Sequence, residues 1–208
     1  MSLSRLTTAI ADGALALPEG KITVMRSAAD YDVSALPRAD LMIANGFYPD
    51  FAAWNNAGYV VTAKAEPAEV AIVVVPRSKA LARAMIAAAA SWAKLVIVDG
   101  QKTDGVESLF KDCRKRLGQL PSVPKGHGRI FWFAPAPVLD DWIAPPPSMG
   151  AHGYVPTAGV FSDGAVDKGS ALLAGAFSDM FPARRAGLGC GWGLLAGACF
   201  AHTVCPVS

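Results

Sequence analysis

Six short apolar runs decide what the front of this chain can fold into: KITVMR (21–26), DLMIAN (40–45), GYVVTA (58–63), EVAIVVVP (69–76), KLVIVDG (94–100) and RIFWFAP (129–135). They are rich in valine and isoleucine and apolar on both faces, which is the pattern of strands in a sheet covered by helices on both sides. Segments of helical period lie between them. Leu81, Met85, Ala89 and Trp92 share one stripe of the segment from Ser78, and Val106, Phe110, Cys113 and Leu117 share one stripe of the segment from Asp104. Strands alternating with crossover helices predict a doubly wound α/β domain over residues 1–136.

In such a sheet, ligands bind beyond the carboxyl ends of the strands, and the first strand-to-helix turn normally supplies glycines so that a phosphate or nucleoside can approach the backbone. Here that turn reads Val24-Met25-Arg26-Ser27-Ala28-Ala29-Asp30, with no glycine in it. Each β-carbon stands where the ligand would lie. The first domain is therefore expected to have the architecture of a cofactor-binding fold without its cofactor loop.

Prolines then crowd the chain, in Ala134-Pro135-Ala136-Pro137 and in Ala144-Pro145-Pro146-Pro147-Ser148-Met149-Gly150. This density excludes a helix interior or a central strand and predicts a semi-rigid spacer over 137–152, with a second domain over 153–208. In that second part, Asp167 or Ser170 is placed to cap a helix whose apolar residues are Leu172, Leu173 and Phe177. A Gly-x-Gly-x-Gly loop follows at Gly189, Gly191 and Gly193.

Composition removes several classes. With 52% hydrophobic and 17% charged residues the chain can bury a core, and a net charge of +2 does not by itself announce a nucleic-acid binder. Cys113, Cys190, Cys199 and Cys205 form no Cys-x-x-Cys pair, and His127, His152 and His202 lack metal-ligand spacing. No metal site and no disulfide framework are expected, and the thiols read as reduced. Asp12 breaks the only apolar stretch of the N-terminus, which argues against a signal peptide. From Ala186 to Ser208 there is no charged residue, and Gly189, Gly193 and Gly197 repeat at the four-residue spacing of packed membrane helices. Yet Gly187, Gly189, Gly191 and Gly193 alternate, costing a helix about 1 kcal/mol each relative to alanine, so a loop is expected rather than a membrane span.

The order GVFSxxxxDxGSxLL (159–173) followed by LGCGWG (188–193) resembles the catalytic domain of the ribosomal RNA small subunit methyltransferase C family. Those enzymes transfer a methyl group from S-adenosylmethionine to N2 of a guanine. The stretches LPRADLMIANGFYPD (36–50), KTDGVESLFKDCRKRL (102–117) and KGHGRIFWF (125–133) are similar to the family's N-terminal half, so the resemblance covers essentially the whole chain. It implies a Rossmann-like methyltransferase fold twice over: a degenerate N-terminal copy that has lost its cofactor site and helps bind RNA, then an incomplete catalytic domain. By the same resemblance, Gly189, Gly191 and Gly193 would let the main chain approach the cofactor, with Cys190 and Trp192 shaping the loop. Phe161 and Ser162 would lie over cofactor or target base, beside a wall built by Asp167, Gly169 and Ser170. The implied partner is ribosomal RNA or the small ribosomal subunit, met by a cytoplasmic monomer with no membrane attachment.

The chain departs from the family pattern where the cofactor strand and the catalytic segment should lie. Gly187 stands where relatives have an acidic residue, Arg184 and Arg185 interrupt the strand before the loop, and the Asn-Pro-Pro-aromatic segment does not occur. These departures predict a C-terminally truncated, catalytically inactive polypeptide. The alternative function is a non-catalytic RNA-binding module, in which Lys102, Lys111, Arg114, Lys115, Arg116 and Lys125 contact phosphates.

Overall fold

The computed structural model describes residues 4–143, 166–177 and 193–201. The chain divides into two compact units, Met1–Ala144 and Pro145–Ser208.

Unit 1 is built on one seven-stranded sheet: β1 (Ile22–Met25), β2 (Leu41–Ala44), β3 (Val60–Thr62), β4 (Val70–Val74), β5 (Leu95–Gln101), β6 (Ser122–Lys125) and β7 (Gly128–Phe133). The spatial order is β3-β2-β1-β4-β5-β7-β6. β1 to β5 run parallel, and β7 lies antiparallel between β5 and β6. The doubly wound α/β fold expected from the sequence is thus present, with strand order reversing between β1 and β4. Helices α1 (Arg5–Ala11), α2 (Tyr48–Asn56), α3 (Lys79–Ala90) and α4 (Val106–Leu117) cover the sheet.

The two-sided burial explains why the strand runs are so apolar. Val73, Val98 and Phe131 pack with Met85 and Ile86 of α3 and Leu109 and Phe110 of α4. Their neighbours Ile72, Ile97 and Ile130 pack on the other face with Leu6 and Ala9 of α1 and Trp54 of α2. Successive residues of a strand point to opposite faces, so a sheet buried twice needs apolar residues at nearly every position. The predicted helix stripes hold: Met85 and Ala89, then Val106, Phe110 and Cys113, are buried.

Two elements carry little sequence signal. β6 reads Ser122-Val123-Pro124-Lys125 and pairs on one side only, with β7. A proline is tolerated there because an edge strand leaves N–H groups unpaired anyway. Helix α1 is seven residues long, capped where the Thr7 N–H donates to Ser4 Oγ at 3.1 Å.

α1 is fixed to the sheet by a buried ion pair. Arg5 Nε donates to Asp99 Oδ1 at 2.5 Å, and the Tyr31 hydroxyl donates to Asp99 Oδ2 at 3.0 Å. The side chains of Arg5 and Asp99 are 13% and 3% exposed. Burial raises the Asp99 carboxyl above its ordinary value, opposed by the charge and hydrogen bond of Arg5 and by the Tyr31 hydroxyl. Burial and the Asp99 carboxylate together push Tyr31 well up. Gly128 makes room for this arrangement: a β-carbon there would lie 2.6 Å from Arg5 Nη1.

The proline-rich stretch expected to begin a spacer at 137 starts with a 3-10 helix, Pro137–Trp142, that belongs to unit 1. Leu139 and Trp142 are buried in the α3–α4 side of the core. Two guanidinium groups lie over the Trp142 ring, Arg83 at 5.2 Å and Arg116 at 5.0 Å from its centroid. Arg116 also grips Asp141 with both Nη atoms, at 2.6 and 2.7 Å. A proline at the start of a helix loses no bond, so Pro137 does not oppose the turn. Arg116→Ala is expected to cost about 1–2 kcal/mol through a partly exposed ion pair and a cation–π contact, measurable by urea unfolding.

In unit 2 the described elements are α5 (Lys168–Gly175) and α6 (Leu194–Ala201), which pack together. Among the described residues, no helix is long and apolar enough to cross a membrane.

Candidate functional site

The carboxyl edge of β1 to β4 is where an open α/β sheet places its ligand. In unit 1 this place is filled by the protein itself. After β1 the chain turns at Arg26, which adopts a left-handed φ of 57° and donates its N–H to the Ala44 carbonyl at 2.8 Å. The next residue, Ser27, is fully buried, and its carbonyl accepts from Asn45 Nδ2 at 2.8 Å and from the Trp54 indole Nε1 at 3.2 Å. Asp50 Oδ1 accepts the Ala29 N–H at 3.1 Å. Trp54, 5% exposed, meets Tyr59 edge-on at 5.0 Å between centroids. The glycine-free turn read from the sequence is thus backed by an indole and an amide that hold it closed. Neither plug residue is legible in the sequence, because their role rests on contacts 18 and 27 residues away.

The basic residues named as phosphate contacts divide into two groups. Lys111, Arg114 and Lys115 are exposed on α4 and line one surface groove of about 600 Å³, together with Ser108, Asp112, Gly118 and Gln119. Lys102 is exposed at the start of the 3-10 helix Lys102–Asp104. Arg116, by contrast, is committed to Asp141 and to the Val138 carbonyl, and Lys125 Nζ donates to Thr8 Oγ1 at 2.7 Å. Asp112 does not simply neutralise the groove. Burial raises its carboxyl, but hydrogen bonds from Arg83 and Lys79 outweigh that and lower it, stapling α3 to α4.

Of the residues assigned to the cofactor in unit 2, Phe161, Ser162, Gly189, Gly191 and Trp192 lie outside the described residues. Asp167 caps α5: its Oδ2 accepts the Ser170 N–H at 2.9 Å and the Ser170 hydroxyl at 3.1 Å. Gly193 has a left-handed φ of 96°, directly before α6, and accepts the Gly197 N–H at 2.8 Å. Among the described residues nothing lies within 4 Å of a β-carbon built on Gly193. A glycine at positive φ directly before a helix N-terminus, with no described atom over it, is suited to close approach by a ligand. The two turns therefore differ in kind: the first is plugged, while the described end of the second is open. No group of three His, Cys, Asp or Glu residues arranged for a metal occurs among the described residues.

Comparison with known proteins bears on both units. Residues 153–204 match the family model of the methyltransferase small domain. Among solved structures, the T. thermophilus 16S rRNA N2 G1207 methyltransferase (RsmC), in complex with AdoMet and guanosine, superposes with a TM-score of 0.59 at 21% identity, covering 78% of this chain and 49% of that one. The chain thus spans about half the length of that enzyme. A ribosomal protein L11 methylase from Lactobacillus delbrueckii subsp. bulgaricus has a TM-score of 0.45 at 11% identity, covering 64% of this chain and 81% of that one. No curated protein matches the sequence. Residues 153–204 are thus similar to the methyltransferase small domain family, and the chain shares the Rossmann-like fold of the methyltransferase on which it superposes.

Proposed function

We propose that this chain is part of an S-adenosylmethionine-dependent methyltransferase acting on guanine N2 of small-subunit ribosomal RNA in the cytoplasm. In this reading unit 1 is a non-catalytic copy of the fold that serves RNA, and unit 2 carries the cofactor loop at Gly189, Gly191 and Gly193. The observation that carries it is the contrast between the turns, one plugged by Trp54 and Asn45 and the other, inside the segment that matches the family model, with nothing among the described residues over Gly193. The groove of Lys111, Arg114 and Lys115 supports a role for unit 1 in holding phosphates.

A guanine amine is a weak nucleophile, so transfer needs groups that align its lone pair and accept its proton. These 208 residues contain no Asn-Pro-Pro to do so. The chain is therefore expected to bind S-adenosylmethionine while transferring no methyl group to small ribosomal subunits, as read by calorimetry and a tritium-transfer assay. Gly191→Val should remove the binding. Binding unchanged in that variant would refute the assignment of the loop, and steady transfer by the chain would refute its inactivity.

A further inference from the structure

Two adjacent aromatic residues stand exposed at the carboxyl edge of the unit 1 sheet, Phe47 at 58% and Tyr48 at 77%. Neither belongs to the plug nor to the α4 groove. They are also held in place. The Phe47 N–H donates to Asn45 Oδ1 at 2.9 Å, its carbonyl accepts the Phe51 N–H at 3.0 Å, and Tyr48 begins α2 immediately before Pro49. Large rings exposed to water on a backbone held in place, away from any core, are the informative exception to burial.

Cations flank them at the same end of the sheet. Met25 is in register with Ala44, and Ala44 with Thr62. The Arg26 N–H bonds the Ala44 carbonyl and the Asn45 N–H the Thr62 carbonyl. The residues that leave β1, β2 and β3 therefore emerge side by side, and three neighbouring strands span only about 10 Å. Arg26 and Lys64, which follow the strands on either side of β2, are exposed. Arg26 is one of two non-glycine residues with positive φ among the described residues, a conformation that costs energy and that the surrounding bonds enforce.

We infer that this edge is a stacking site for an unpaired RNA base, with Phe47 and Tyr48 offering the platform and Arg26 and Lys64 meeting the adjoining phosphates. The chemistry favours a base over a bare polyanion. Asp30 and Glu66 are also exposed here, and Asp50 is committed to Ala29 and Asn45, so the edge has no strong net positive charge. Stacking on an aromatic face needs none, and it accepts any base. The inference rests on the reading that unit 1 serves RNA, but it places the contact on a different surface from α4.

The test uses the full chain and fluorescein-labelled RNA, a single-stranded dodecamer and its duplex, followed by anisotropy over a range of salt. Phe47→Ala and Tyr48→Ala, both at exposed positions that leave the core untouched, should each weaken single-strand binding about tenfold. The salt slope and the duplex affinity should not change, and Tyr48→Phe should bind as the unaltered chain does. The control, Lys111, Arg114 and Lys115 replaced together by alanine, should instead flatten the salt slope. Unchanged single-strand affinity in Y48A and F47A, with loss only in the control, would overturn the stacking site and leave the wider RNA reading standing. Equal losses on single strand and duplex would also overturn it, as would loss of self-association in Y48A with RNA binding intact, which would assign the edge to a second copy of the chain. Absence of RNA binding by the unaltered chain would defeat both readings.

Discussion

Arg5→Ala is expected to destabilise unit 1 by about 3–5 kcal/mol, because it leaves the Asp99 carboxylate buried without a counter-charge, held only by neutral donors such as the Tyr31 hydroxyl and the Gly100 backbone. The loss should depend on pH with a definite sign. A carboxyl whose folded pKa lies above its unfolded value favours the fold while protonated, and that contribution is lost as pH rises through the folded value. Asp99 is already raised by burial, and removing Arg5 takes away the main opposing influence, raising it further. The gap between variant and parent should therefore be largest near neutral pH and narrow as pH falls. Urea unfolding at several pH values measures it; a gap independent of pH would mean that the guanidinium acts through packing rather than charge. Asp99→Asn in the same background should recover part of the loss by removing the stranded charge.

Trp54→Ala should cost about 3–5 kcal/mol, the usual penalty for deleting a large buried aromatic. The indole contributes a hydrogen bond to Ser27 and an edge contact to Tyr59, itself covered by the Arg38 guanidinium at 4.2 Å. The void should not become a cofactor site, because Arg26, Ser27, Ala28 and Ala29 still project β-carbons along the turn and Asn45 still closes on the Ser27 carbonyl. Thermal unfolding with and without S-adenosylmethionine checks both parts: lower stability, and no ligand-dependent recovery arising from unit 1.

The parts of the fold that sequence reveals are those whose environment is uniform. Ile72 and Val73 face opposite cores, as do Ile97 and Val98, so their runs had to be apolar throughout and were legible as strands. Ser122–Lys125 had no such constraint at the sheet edge, and its proline disguised it. The 3-10 helix at Pro137–Trp142 was masked in the same way: its anchor is a tryptophan in contact with arginines of two other helices, a relation that no local pattern encodes. At the candidate site, the missing glycines after β1 could be read directly, since a β-carbon is a local property. What replaced the ligand could not, because Trp54 and Asn45 reach Ser27 through tertiary contacts. The same distance effect hid Arg116. It looks like one more cation on the face of α4, and only Asp141, 25 residues on, shows that it is spoken for.

In unit 1 the ligand position is closed by Trp54 and Asn45, and the cofactor loop is proposed for unit 2. Photo-crosslinking of tritiated S-adenosylmethionine to the full chain, followed by peptide mapping, tests it most directly. Label confined to peptides from residues 153–204 is the predicted result; label on peptides covering residues 22–58, around Arg26 and Trp54, would contradict it.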